Sequence, residues 1–154
     1  MSAECHSYRV VAVISHVALA ALLLGGCVSP AFNSEHYQQQ ALMSVDAAQS
    51  ELQTTRLVLE ACIAGEVFAT TADETVSASE SAIASIAASF QTVQPPATSN
   101  ETLSVATRYL DAANDAVVQS RIAVRRGDEA ALRVALEHVE RVLSRAVPVH
   151  GRLT

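Results

Sequence analysis

Apolar residues recur along most of this chain at alternating intervals of three and four, the spacing that lines one face of an α-helix. The first stripe is Ala41, Val45, Ala48, Leu52, Thr55, Leu59 and Cys62. Ser34 is placed to cap its helix, and Gly65 to end or bend it. A second stripe runs through Val76, Ser79, Ile83, Ile86 and Phe90, with Ala87 beside it. This segment is rich in Ser, Thr and Ala, so its helix propensity is the weakest of the set. Pro95 and Pro96 stop it, and 95–99 reads as a loop. A third stripe, Leu103, Ala106, Leu110, Ala113, Val117, Ser120 and Val124, follows Ser99. Arg125 and Arg126 close that helix, where cations suit the helix dipole. Gly127 fits the position just past its end, and Asp128 fits the N-cap of a fourth helix. The fourth stripe is Leu132, Ala135, Val139, Val142 and Ala146, with Leu136 and Leu143 alongside, and Pro148 is expected to end it.

Four amphipathic helices joined by two short turns and one proline loop predict an all-α fold. The expected architecture is an up-down-up-down four-helix bundle over residues 35–147, with 148–154 a C-terminal tail. Alanines along the stripes permit close helix approach. β-branched residues are scattered and no Asn-Gly turn pair occurs, so no strand pattern competes. The rival architecture is a set of helical hairpins or a coiled coil that buries its stripes only in an oligomer. Four stripes within one chain favour a compact monomer.

The N-terminal region has a different pattern. Residues 10–24 form an apolar run of fifteen, interrupted by Ser15 and His16 and preceded by Arg9. A helix needs about 20 such residues to span a bilayer, so the run is too short for a stable crossing. It closes on Leu24-Gly25-Gly26-Cys27. A basic residue, a short apolar run and small residues at a cut are the layout of a secretory signal peptide. With the cysteine directly after, the motif resembles the lipobox of bacterial lipoproteins. The resemblance implies that Leu24, Gly25 and Gly26 are read by the signal peptidase. It also implies that residues 1–26 are removed and that Cys27 carries a diacylglycerol by a thioether. The expected location is then the bacterial cell envelope, membrane-anchored and extracytoplasmic. In a Gram-negative cell, Val28 in place of an aspartate favours the outer membrane. Residues 27–34, with Pro30 and Asn33, read as lipidated cysteine and tether. The resemblance covers residues 1–27, and the domain after it resembles no family.

Removing residues 1–26 leaves 128, enough for one domain with a modest core. There is no Trp, so the core is expected to be aliphatic and alanine-rich. Cys62 is the one cysteine left besides Cys27, which precludes an intramolecular disulfide in the mature protein. On its stripe it reads as a small buried hydrophobe. Charge is uneven: residues 28–100 hold eight acids and Arg56, whereas 101–154 hold seven acids and eight arginines. The two halves are expected either to pack with complementary faces or to leave the arginine-rich half facing an anionic surface, such as lipid headgroups or cell-wall polymer. A net charge of −6 argues against nucleic acid as a partner.

Chemistry-bearing patterns are sparse. No Glu-x-x-His occurs, and Glu137 and His138, being adjacent, point to different helix faces. His36, His138 and His150 lie far apart. Neither a Gly-x-Ser-x-Gly nor a glycine-rich phosphate loop is present. Thr55, Ser79 and Ser120 are the polar members of the stripes, and small hydroxyls there bond back to their own helix. Arg126-Gly127-Asp128 spells an integrin-type tripeptide, but each residue already serves as helix stop, turn or helix start. Asn100-Glu101-Thr102 matches a glycosylation sequon, and Asn100 is better read as a loop residue. No catalytic residue, metal site or cofactor is expected. The expected role is non-catalytic: a scaffold, accessory or envelope-interaction protein with an envelope partner of unknown identity. The alternative is a binding protein that holds a small apolar or amphipathic ligand between its helices, which an unfilled space along the alanine-rich seam would favour.

Overall fold

The structure, a computed structural model, describes residues 33–154. Leu24, Gly25, Gly26 and Cys27, with the rest of the expected signal peptide and most of the expected tether, lie outside the described residues. Among the described residues the fold is an all-α bundle of five helices: α1 (Ser34–Ala64), α2 (Ala69–Gln91), α3 (Asn100–Arg126), α4 (Glu129–Leu143) and a short α5 (Ala146–Leu153). No β-strand occurs among the described residues.

The short links make the first four helices successively antiparallel. α1 and α3 touch along the middle of the bundle; α2 packs against both from one side, α4 against both from the other, and α5 lies across α1 and α3. One end of the bundle therefore gathers the start of α1, the start of α3 and α5. The other gathers the Gly65 and Gly127 turns.

Each stripe faces inward. Ala41, Val45, Ala48, Leu52, Thr55 and Leu59 are fully buried, as are Val76, Ile83, Ala113, Val117 and Val139. α3 buries more than its predicted stripe: Val105, Tyr109, Ala116 and Ala123 are buried beside it, whereas Leu103 of the stripe is only partly buried. Cys62 is likewise half-buried rather than buried, because α1 is ending there, and what burial it has raises its thiol pKa. Tyr37 packs its ring against Phe90 with centroids 5.5 Å apart, a tilted pair that joins the start of α1 to the end of α2.

The helix ends correct several expectations. Asn33, not Ser34, caps α1: its Oδ1 accepts the His36 N–H at 2.8 Å. Ser34 instead shares a 2.9 Å hydroxyl–hydroxyl bond with Thr98, tying the proline loop to α1. Gly65 ends α1 and Gly127 ends α3, both with positive φ, where a side chain would be strained. Asp128 caps α4 as expected, accepting the Ala130 N–H. Ser99 occupies the N-cap position of α3 but makes no side-chain cap bond. α2 stops at Gln91, before the prolines, which keep the chain from resuming a helix.

Pro148 does not end the helical structure, and 148–154 is not a tail. α4 breaks at Ser144 and Arg145, and α5 then carries Pro148 in its first turn, with Leu153 buried at its far end. Proline has no N–H to offer the Ser144 carbonyl, so the helix before it is interrupted. In the first turn of a new helix that N–H is not needed.

The unequal charge of the two halves is used between helices. Arg121 Nη1 donates to Glu80 Oε2 at 2.8 Å, and Arg125 Nε to Asp73 Oδ1 at 3.0 Å, joining α3 to α2. These groups are partly exposed, and pairs of this kind contribute about 0.2–1 kcal/mol each. α5 is held by His150, whose Nδ1 lies 2.7 Å from the Ala146 carbonyl and whose Nε2 lies 2.5 Å from Asp46 Oδ1 on α1. Both partners only accept hydrogen bonds, so the site is satisfied when both ring nitrogens carry protons. The Ala146 and Asp46 contacts accordingly raise the His150 pKa above its ordinary 6.5. A cationic group whose folded pKa is raised stabilises the fold fully below its unfolded pKa and ceases to do so above its folded one. Stability is therefore expected to fall as pH climbs from 6.5 past the raised value, with Asp46→Asn flattening the profile; urea titrations across that range check it.

Candidate interaction groove

The polar stripe residues are accounted for structurally. Thr55 Oγ1 donates to the Glu51 carbonyl at 2.9 Å and Ser120 Oγ to the Ala116 carbonyl at 2.7 Å, each within its own helix, and Ser79 is buried on α2. Glu137 faces solvent beside Arg141, 3.8 Å away. No group of three or more potential metal ligands converges among the described residues. No described helix is long and apolar enough to cross a membrane.

What the fold does create is a groove between α3 and α4, near the Gly127 turn, with a volume of about 460 Å³. Alanines form much of its wall: Ala123 on α3, and Ala130, Ala131 and Ala135 on α4. Where two helices meet through alanine, the space between them above the contact line is left unfilled. Ile122 and Val134 flank the opening and are 39% and 63% exposed. The rim is basic and polar, with Arg126, Arg141, His138 and Gln119. Arg126 has no ion-pair partner among the described residues, and Arg141 reaches Glu137 only loosely. The groove thus combines an apolar floor with cationic edges.

Ile122 and Val134 lie off the stripes and do not stand out as core residues. The signal was nonetheless present: Gln119, Ile122, Ala123 and Arg126 recur at helical spacing on one element, and Ala131, Val134, His138 and Arg141 on the next. Such a second, weaker stripe on adjacent helices marks a shared face outside the core. No family model, curated protein or solved structure matches this chain.

Proposed function

We propose that this chain is a lipid-anchored, extracytoplasmic interaction protein of the bacterial envelope, without catalytic activity, that docks a partner in the α3–α4 groove. The observation that carries the reading is the exposure of Ile122 and Val134 over an alanine-lined floor between basic edges. The occupant that suits it is an amphipathic helix from an envelope protein, with an apolar stripe bordered by Asp or Glu. Anchoring rests on the Leu24–Cys27 motif, and every stripe being buried within one chain favours a monomeric domain.

A photo-activatable cross-linker at position 134 tests this in cells, with position 57, exposed on α1, as control. A defined adduct from 134 and not from 57, mapping to an acidic amphipathic segment, is the expected result. Cys27→Ser should abolish both the adduct and the diacylglyceryl mass on the protein, because serine offers no sulfur for the thioether. Wild-type protein without that mass sinks the anchoring, and no adduct from 134 sinks the docking.

The groove also favours a second reading, a small amphipathic ligand with an anionic head. Its volume lies within the range of about 300–1,000 Å³ typical of small-molecule sites. Native mass spectrometry of protein extracted in mild detergent separates the two: a ligand mass that Val134→Glu removes supports the second.

A further inference from the structure

A second, smaller cleft of about 120 Å³ lies between α3 and α5, at the end of the bundle where α1 begins. Val105, Tyr109 and Val149 form its apolar floor, and Arg108, Arg145 and Arg152 line it. We propose that this cleft binds a phosphate group, as a free phosphate or as the phosphodiester of a lipid headgroup.

Charge is the first argument. The chain is acidic overall, yet three arginines share one small cleft. Only Arg152 meets a carboxylate there, Glu101 at 3.0 Å. Arg108 donates from Nε to the Ser104 carbonyl at 3.0 Å, which leaves its terminal nitrogens for a ligand. Arg145 makes no ion pair among the described residues, so the three guanidinium charges face one acid. Guanidinium forks match the oxygens of phosphate two at a time. The apolar floor strengthens each of those contacts by lowering the local dielectric.

Tyr109 is the second argument. It is 3% exposed, and its ring closes the apolar floor of the cleft. Burial, with the nearby Asp46 carboxylate, pushes the Tyr109 pKa up to about 12, so the hydroxyl keeps its proton and does not repel an anion. Asp46 itself is engaged by His150, which offsets its charge. Size is the third argument: a space of about 120 Å³ suits a tetrahedral oxyanion. The headgroup source alone depends on the anchoring proposed above; the site does not.

The test uses the full chain in neutral detergent, with inorganic phosphate and phosphatidylglycerol as separate probes and phosphatidylcholine as control. Calorimetry reads binding, and far-UV circular dichroism confirms that each variant is folded. The Arg108→Gln/Arg145→Gln double variant is expected to weaken binding by at least about tenfold, the equivalent of one charge-assisted contact. Arg133→Gln, on exposed α4, should leave it unchanged, and Arg145→Lys should fall between. Arginine-dependent binding of inorganic phosphate supports the site with a soluble source. Arginine-dependent binding of phosphatidylglycerol alone supports it with a headgroup source. Binding of neither probe, or equal binding by the double variant and Arg133→Gln, overturns it.

Discussion

Leu110→Ala is expected to destabilise the bundle by about 2–5 kcal/mol, the range for emptying a buried leucine site. Leu110 is 1% exposed near the middle of α3, which like α1 contacts all the other helices. Neighbours on several sides restrict how far the site can collapse around a smaller side chain, and incomplete collapse is what makes such substitutions costly. Arg108→Ala, two residues earlier on the exposed side, should cost well under about 1 kcal/mol, since it loses a solvent-facing bond to the Ser104 carbonyl. Urea unfolding of both variants provides the measurement. Equal midpoints would mean that the burial of α3 has been assigned to the wrong face.

Leu153→Ala is the second large effect, and it separates a docked C-terminus from a tail. Leu153 is 1% exposed although it is the penultimate residue. A tail residue would be worth nothing, whereas docking predicts a loss of about 2 kcal/mol or more. The loss should exceed that of Val147→Ala, because Val147 is 79% exposed on the same helix. It should also release α5 locally: amides of α5 would exchange faster with solvent while α3 stays protected. Unchanged exchange and unchanged stability together would return 148–154 to a tail.

Helix existence and facing were legible because the three-four spacing is strict and each interior is aliphatic. Gly65 and Gly127 announced their turns, since a left-handed backbone is cheap for glycine alone. The misses have definite causes. Proline both breaks a helix and opens one, so Pro148 was read as a stop when it stands in the first turn of α5. Asn33 and Ser34 are both good caps, and sequence does not choose between adjacent ones. The wider buried arc of α3 depends on how the other helices are placed against it, which its own sequence does not give. The α3–α4 groove and the α3–α5 cleft arise from the same kind of placement: Arg108 and Arg145 are 37 residues apart and share a cleft only because α5 folds back. The lipobox reading of Leu24, Gly25, Gly26 and Cys27 rests on sequence order alone, since these positions lie outside the described residues.

Burial of the tyrosines has a practical consequence for spectroscopy. The chain has no tryptophan, and the two tyrosines among the described residues are Tyr37 and Tyr109. Both are within 3% of full burial, and both sit in the half of the bundle that contains α5 and the start of α1. Among the described residues, tyrosine absorbance and emission therefore report on that half alone. Fraying around the Gly65 and Gly127 turns would leave them silent, while a backbone-wide probe would register it. In alkali, with Tyr109 held to about 12, phenolate absorbance should lag behind that of a free tyrosine until the fold opens. The unfolded chain would lose its tyrosine protons from about pH 10 upward, so the fold weakens over that interval. A single alkaline titration thus doubles as an unfolding curve for one end of the molecule.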